Sequence, residues 1–590
     1  MAGEGAFVMG RTLGKLFVRG GYHVMGYPEY PSLIRTGHNS YTIVASRELV
    51  RSPRENTDIL IGVSKDGVLF HKDSVKENGI ILYDGQVIKI EEMEIKESIK
   101  KVNLPIHAIL KEVGAPLIMK NVAFLGAALA VVGYPLSYLE KVIEEEFTRK
   151  GQEVVKLNQE VAKKAYEYIE KEGIKANVTM EAKENKRMYL SGNEAVGLGA
   201  LAGGLGIYSA YPMTPASSVL HFLVQKQVEG HDIAVVQAED EIAAAQFAIG
   251  ANYAGVRAMT GTSGGGFALM TEGVGMAAIA ETPVVFFLAQ RTGPSTGMPT
   301  WTEQGDLFQV LGASQGEFLR VILAPGTVEE AYYGAAEALN IADRYQLPVF
   351  LLSDKFLSES HFTMEKPQKV EIDRGKLITD SEDLKELMMG ERFLRYKDSE
   401  DGISARTIPG VKNGQHVATS YEHYEDSFTT EKFDERVKQV DKRERKLKAL
   451  LEESWKPKVY GEGEIYLACW GSQVGPLLDA QKSLAKDGIN VGVIHFTWLY
   501  PLDEKKVLEV LEGKKVMMFE NNSTGLFSKL LRMETGWKAN GLVLKYNGRQ
   551  FFKEQVEKVV REAVENGIKE KVVVTQEVDN YEYYTPWRYV

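Results

Sequence analysis

One cysteine, Cys469, stands in 590 residues. A single thiol cannot close a disulfide within the chain, nor supply the ligand set of a cysteine-bound zinc or iron–sulfur centre. A reducing compartment is expected. If the protein moves electrons, the clusters belong to another chain. Long apolar runs are missing too. No stretch reaches the roughly 20 residues needed to cross a bilayer, so no membrane partner is expected. The Met1 end has no basic region leading into an apolar stretch, so no secretory signal is expected and a cytoplasmic location is. An excess of positive charge is also absent. Lys and Arg number 70 against 81 Asp and Glu, a formal net charge of −11, which argues against a nucleic-acid surface. What remains, 44% hydrophobic and 26% charged residues, is ordinary globular composition. The length implies three or four domains.

The dinucleotide fingerprint is absent as well. Gly3-Glu4-Gly5 and Gly10 precede the helical pattern Thr12 to Arg19, but position 8 is Val and no strand comes first. A glycine loop before a helix still offers free N–H groups to an anion. Residues 1–175 then alternate short apolar runs with helical patterns, an α/β domain. Strands are expected at Tyr41 to Ala45, from Asp58 and from Gly79, and an alanine-rich helix from Lys120-Asn121. The loop Tyr27 to Asn39 is dense in polar and aromatic residues. Between 150 and 190 the chain turns charged, and Glu160 to Glu172 reads as a solvated linker helix.

Residues 190–370 form a second α/β domain. Strand Ile207 to Tyr211 stops in Pro212-Met-Thr214-Pro215, where two prolines fix the turn around a threonine. Strand Val256 to Thr260 leads into a Gly261-Thr262-Ser263-Gly-Gly-Gly loop, and strand Pro283 to Ala289 into Gln290-Arg291-Thr-Gly-Pro-Ser295-Thr296-Gly. Strand–helix–strand alternation implies parallel pairing, so these loops share one sheet edge, where ligands bind in such folds. Thr214 there is either a helix cap or a ligand-facing hydroxyl. Glu239, Asp240 and Glu241 head a helix, where any carboxylate is favoured. Arg291 suits a structural salt bridge or a bound carboxylate. Residues 371–455 are a polar connecting segment of the kind that links domains or covers partners, and 456–575 a third α/β domain.

Glu241 is followed by Ala244 and Ala245, then Gly250, then the Thr-Ser-Gly-Gly-Gly loop. This register resembles the pyrimidine-binding domain of thiamine diphosphate enzymes and prefers Glu241 over its neighbours. Tyr211-Pro-Met-Thr-Pro, Gly192-Asn-Glu-Ala, Glu239-Asp-Glu-Ile-Ala-Ala and Gln290-Arg-Thr-Gly-Pro-Ser-Thr-Gly-Met-Pro-Thr together resemble the α subunit of a 2-oxoacid:ferredoxin oxidoreductase. The first domain is similar to that family's γ domain, fused ahead of α, and the last to a transketolase C-terminal domain. The resemblance spans essentially the whole chain.

The resemblance implies that a 2-oxoacid and coenzyme A yield acyl-CoA, CO₂ and two electrons for ferredoxin. 2-Oxoglutarate is the favoured substrate; pyruvate, branched-chain or aryl 2-oxoacids, or a non-catalytic scaffold of the same fold, are the alternatives. Glu241 would activate thiamine diphosphate, with Tyr211, Pro212, Thr262 and Ser263 around the cofactor. Thr214 and Arg291, with Ser295 and Thr296, would bind the substrate, and Arg35 and Lys120 would lie toward coenzyme A. The Gly-Asp-Gly motif and trailing Asn that anchor Mg2+ and diphosphate are not present: Lys65-Asp-Gly, Tyr83-Asp-Gly and Lys486-Asp-Gly lack both flanks. Mg2+, the diphosphate anchor and a 4Fe-4S cluster would therefore come from a β subunit, in an (αβ)2 assembly. Iron analysis of the isolated chain should find no stoichiometric iron; a full cluster complement there would refute this division of labour.

Overall fold

The computed structural model describes residues 5–32 and 38–575. At its centre is a seven-stranded sheet in the order Trp498–Tyr500, Val321–Leu323, Pro348–Asp354, Val284–Gln290, Ala258–Thr262, Ile207–Ala210, Ala234–Gln237. Neighbours pair in parallel, except that Trp498–Tyr500 runs antiparallel beside Val321–Leu323. Val284–Gln290 is buried along its whole length. Its side chains alternate between two cores, Val285, Phe287 and Ala289 on one face and Val284, Phe286 and Leu288 on the other. A parallel strand covered on both faces therefore reads as one apolar run.

Strand Ala258–Thr262 continues two residues past Thr260, because Thr262 still pairs with Leu288. The expected glycine loop shrinks accordingly. Gly261 and Thr262 belong to the strand, Ser263 is extended (φ −118, ψ 177), and Gly264–Gly266 form the first turn of helix Gly264–Ile279.

The N-terminal region holds a three-stranded parallel sheet, Thr57–Gly62, Val75–Tyr83 and Lys100–Asn103. A second, antiparallel sheet runs Ser40–Ser46, His23–Glu29, His361–Met364, Met188–Ser191. It joins strands from the first domain to strands that flank the central sheet in sequence. One expectation is narrowed here and another fails. Gly10 lies inside helix Ala6–Arg19, where a Cβ would come within 2.2 Å of Tyr41 Cδ1, so it serves close packing rather than an anion loop. Gly3 and Glu4 lie outside the described residues. The charged helix Gln152–Lys171 is no solvated linker either. Val155, Val161, Ala162, Ala165 and Ile169 are buried in one core with helix Lys120–Val131, a helical stripe that the charged composition masks.

The polar segment 371–455 is anchored rather than loosely connecting. Lys442 Nζ and Lys446 Nζ reach the two carboxylate oxygens of Glu281 at 2.6 and 2.7 Å, all three groups fully buried or nearly so. Arg257, Arg374 and Arg406 converge on buried Asp343. The C-terminal domain is a six-stranded sheet ordered Lys458–Tyr460, Val491–Phe496, Ile465–Trp470, Lys515–Glu520, Gly541–Leu544, Lys571–Val573. Cys469 is buried in it, and burial pushes its thiol well up.

Burial raises the Glu281 carboxyl, but Lys442 and Lys446 outweigh it and hold the group well below the usual range. Its stabilisation is therefore complete above the unfolded value and is lost as pH falls through the lowered folded one. Glu281→Ala leaves two buried ammonium groups without a counter-ion and should cost about 3–5 kcal/mol, read from denaturant unfolding at neutral pH.

Candidate active site

The turn after strand Ile207–Ala210 is held from beneath. Asn193 is fully buried, and its Nδ2 donates to Pro215 O and to Ser218 Oγ, both at 2.7 Å. It sits in helix Gly192–Ala202, whose start is fixed by a reciprocal Ser191–Glu194 capping box. The Thr214–Pro215 peptide is cis. Helix Ser217–Val228 follows with Ala216 at its N-cap and no side-chain cap, so Thr214 is not a capping threonine. Its carbonyl instead accepts from Arg291 Nη1 at 2.9 Å. Two sequence-predicted residues thus meet across two strand ends. Pro212 is half-buried and Tyr211 is exposed.

The three acids before helix Glu241–Tyr253 separate cleanly. Glu239 is exposed, and Asp240 is spent on the cap, its Oδ1 accepting from Ala243 N at 2.8 Å. Glu241 is 4% exposed, and its Oε1 has no hydrogen-bond partner. The carboxylate lies against the first turn of helix Gly264–Ile279. A Cβ on Gly266 would stand 2.6 Å from Glu241 Oε1 and 2.2 Å from Thr262 Oγ1. Ser263, at the N-cap of that helix, is fully buried, and its Oγ is also unpartnered.

Arg291 is half-buried beyond the end of Val284–Gln290, and its Nε has no partner. Burial lowers its pKa, and Asp306 pulls the other way. Sequence reasoning missed two acids in the next loop. Asp306 is raised by burial, against the pull of Arg291, to about 6. Glu303 is raised to about 7, chiefly by burial and also by Asp306. Their signal was the pair of acids in Glu303-Gln-Gly-Asp306, directly before the short apolar helix Leu307–Leu311. Buried polar atoms normally find partners. Here Glu241 Oε1, Ser263 Oγ, Arg291 Nε and Asp306 Oδ2 do not. They surround one sheet edge, with a bare glycine turn between them. A polar ligand carrying a group for a carboxylate and an anion for a guanidinium would satisfy this set.

Ser295 and Thr296 are placed differently. They lie exposed at the tip of a loop closed by Met298 N donating to Thr292 O at 3.0 Å. The loop's foot is gripped by the C-terminal domain. Thr302 N donates to Gly548 O at 3.1 Å, and the Arg549 guanidinium lies 3.5 Å over the Trp301 ring. Lys120 starts helix Lys120–Val131 in the N-terminal domain and makes no hydrogen bond or ion pair with the Glu241–Arg291 group among the described residues. Arg35 lies outside the described residues. Another missed group is Lys355, fully buried after strand Pro348–Asp354. It donates to Pro28 O at 2.7 Å and lies 3.7 Å from Glu359, which accepts from Tyr30. No cluster of three or more His, Cys, Asp or Glu side chains among the described residues is arranged to hold a metal ion.

Comparison with known proteins covers nearly all of the chain. The family described as pyruvate ferredoxin/flavodoxin oxidoreductase matches residues 1–168. Its thiamine diphosphate-binding counterpart, described as pyruvate flavodoxin/ferredoxin oxidoreductase, matches 198–442, and the transketolase C-terminal domain matches 457–533. The α subunit of 2-oxoacid:ferredoxin oxidoreductase 2 from Aeropyrum pernix is 32% identical, over 97% of this chain and 98% of that protein. The 2-oxoglutarate synthase subunit KorA of Archaeoglobus fulgidus is 34% identical, over 54% of this chain and 83% of that one. A solved 2-oxoglutarate:ferredoxin oxidoreductase from Magnetococcus marinus, with 2-oxoglutarate, coenzyme A and succinyl-CoA bound, superposes with a TM-score of 0.86. It is 30% identical and covers 95% of this chain and 98% of its own.

The contact between Gly266 and the Glu241 carboxylate gives a direct test. Gly266→Ala should cost about 1–3 kcal/mol of stability by overpacking, with the Glu241 side chain displaced in a crystal structure of the folded variant.

Proposed function

Because the chain belongs to the 2-oxoacid:ferredoxin oxidoreductase α-subunit family, we propose that it catalyses, with a β subunit, the coenzyme A-dependent oxidative decarboxylation of a 2-oxoacid, electrons passing to ferredoxin. The observation that carries this reading is the buried, unpartnered Glu241 carboxylate against the bare Gly266 turn, on the same sheet edge as Arg291. A buried carboxylate without a partner is costly, and a proton-bearing ring nitrogen is the partner its position suits. Thiamine diphosphate, when bound, supplies a carbon nucleophile and an electron sink for CO₂ loss. Glu241 would hold a proton on the cofactor's pyrimidine nitrogen, and Thr262, Ser263, Tyr211 and Pro212 would border that ring.

Arg291 binds the substrate carboxylate and is itself positioned by the Thr214 carbonyl. The Thr214 hydroxyl would face the same substrate, and Ser295 and Thr296 would reach it from the loop tip. 2-Oxoglutarate is the favoured substrate, supported by the KorA relatives and by the ligands of the Magnetococcus structure. Lys120 would serve the coenzyme A side, as would Arg35, which lies outside the described residues. The β subunit brings Mg2+, the diphosphate anchor and the 4Fe-4S cluster, in an (αβ)2 assembly in the cytoplasm. Ile242, Phe247 and Leu269 are each about half exposed on the two helices beside Glu241. An apolar face continuous with the site is where the β subunit would complete it.

Reconstituted with its β subunit and assayed with a viologen acceptor, the complex should oxidise 2-oxoglutarate ahead of the other 2-oxoacids. Glu241→Gln should lower kcat roughly 10²–10⁴-fold. Arg291→Ala should cost about 2–4 kcal/mol in kcat/KM. Unchanged rates in both variants would leave only a scaffold role.

A further inference from the structure

The backbone of Asp306 is tied to the site. Its backbone N–H donates to Gln290 Oε1 at 3.0 Å, and Gln290 is the buried strand residue directly before Arg291. Its carboxyl lies against Gly264, where a Cβ would meet Oδ2 at 2.5 Å and Oδ1 at 2.6 Å. The Oδ2 atom is shut off from solvent and has no hydrogen-bond partner. Arg291 acts on it through its field, without an ion pair within 4.0 Å.

The surroundings contain few other charges. The Gly264 turn contributes only N–H dipoles, and Glu241 touches that turn two residues on, at Gly266. The Gln309 amide is spent on Gly264 O at 3.0 Å. Glu303, on the same loop as Asp306, is the remaining acid, and its ionisation is opposed by Asp306. The state of Asp306 is therefore governed mainly by burial and by Arg291.

Resting on the functional reading above, we infer that Asp306 takes up a proton when a substrate carboxylate engages Arg291, and so sets the site's affinity for anions. The reasoning is electrostatic linkage. An ionised Asp306 is stabilised by the Arg291 charge. A bound carboxylate offsets that charge, so the ionised form of Asp306 loses support. Substrate and ionised Asp306 compete for one guanidinium, and the site admits the anion by protonating its own acid. Burial already pushes this carboxyl up to about 6, which brings the exchange near neutral pH. Asp306 acts through Arg291 and is a positioning residue.

The test uses the reconstituted αβ complex. KM for the 2-oxoacid should rise with pH above about 6, approaching tenfold per unit at the steepest, while Asp306→Asn keeps a flat KM from pH 6 to 8. Calorimetry with oxalylglycine, an unreactive 2-oxoglutarate isostere, in buffers of different ionisation enthalpy should show close to one proton taken up by the unmodified complex. No proton uptake there overturns the inference without any variant. A wild-type pH dependence in Asp306→Asn, or its disappearance in Glu303→Gln instead, also overturns it. A complex that oxidises no 2-oxoacid at any pH defeats the functional reading itself.

Discussion

The site depends on one close approach. The first turns of two helices meet, and one of them brings only glycine to the contact. Glu241 can lie buried there because Gly266 leaves room and because Ala244, Ala245 and Ala248 let its own helix settle against the sheet. Asp240 takes the cap that would otherwise compete for the Glu241 side chain. An unpartnered buried carboxylate is unfavourable in isolation. It persists because the cap, the alanine stripe and the glycine turn each constrain it independently. Functional sites are where such local disagreement with folding rules is expected.

The two edges of the central sheet are built on opposite terms. At the edge away from the site, Glu281 has an ammonium on each carboxylate oxygen, and Asp343 gathers three guanidinium groups. Segment 371–455 supplies most of those cations. At the site edge, the acids and the arginine stay incompletely paired. Ion-paired charge at one end lets the other end hold polar groups ready for a ligand, with little rearrangement needed on binding.

Much of this edge was legible in the sequence, because parallel strands announce themselves as apolar runs and their loops as polar breaks. Thr214, Glu241 and Arg291 fall at such breaks, and the fold brings Arg291 onto Thr214. Glu241 is separable from Glu239 by the small residues behind it and by the Thr-Ser-Gly-Gly-Gly loop that follows. Features set by long-range packing were harder to read. Thr262 reads as loop because Gly261 and the following glycines look like one, whereas the ladder to Leu288 extends the strand. The helix Gln152–Lys171 hid a buried stripe in a charged sequence. Residues 371–455 looked like a connection because lysines and arginines read as exposed until their buried acids, 100 or more residues away for Glu281, are in place. Asp306 offers only the two acids of Glu303-Gln-Gly-Asp306 as a signal. Its meaning comes from the strand end that fixes its backbone.

The antiparallel sheet shared between the first domain and the central one has a consequence for how the chain is held together. His23–Glu29 pairs with His361–Met364, and Thr363 Oγ1 accepts from Val24 N at 2.8 Å. The covalent link between these domains runs through residues 172–187, which are mostly exposed and lack regular structure. A protease nick in that stretch would therefore leave two fragments still woven into one fabric, separable only by unpicking a sheet. The peptide bond there acts as a tether that raises local concentration, while hydrogen bonds between distant strands do the holding. The same protein could be encoded as two polypeptides and assemble into the same fold.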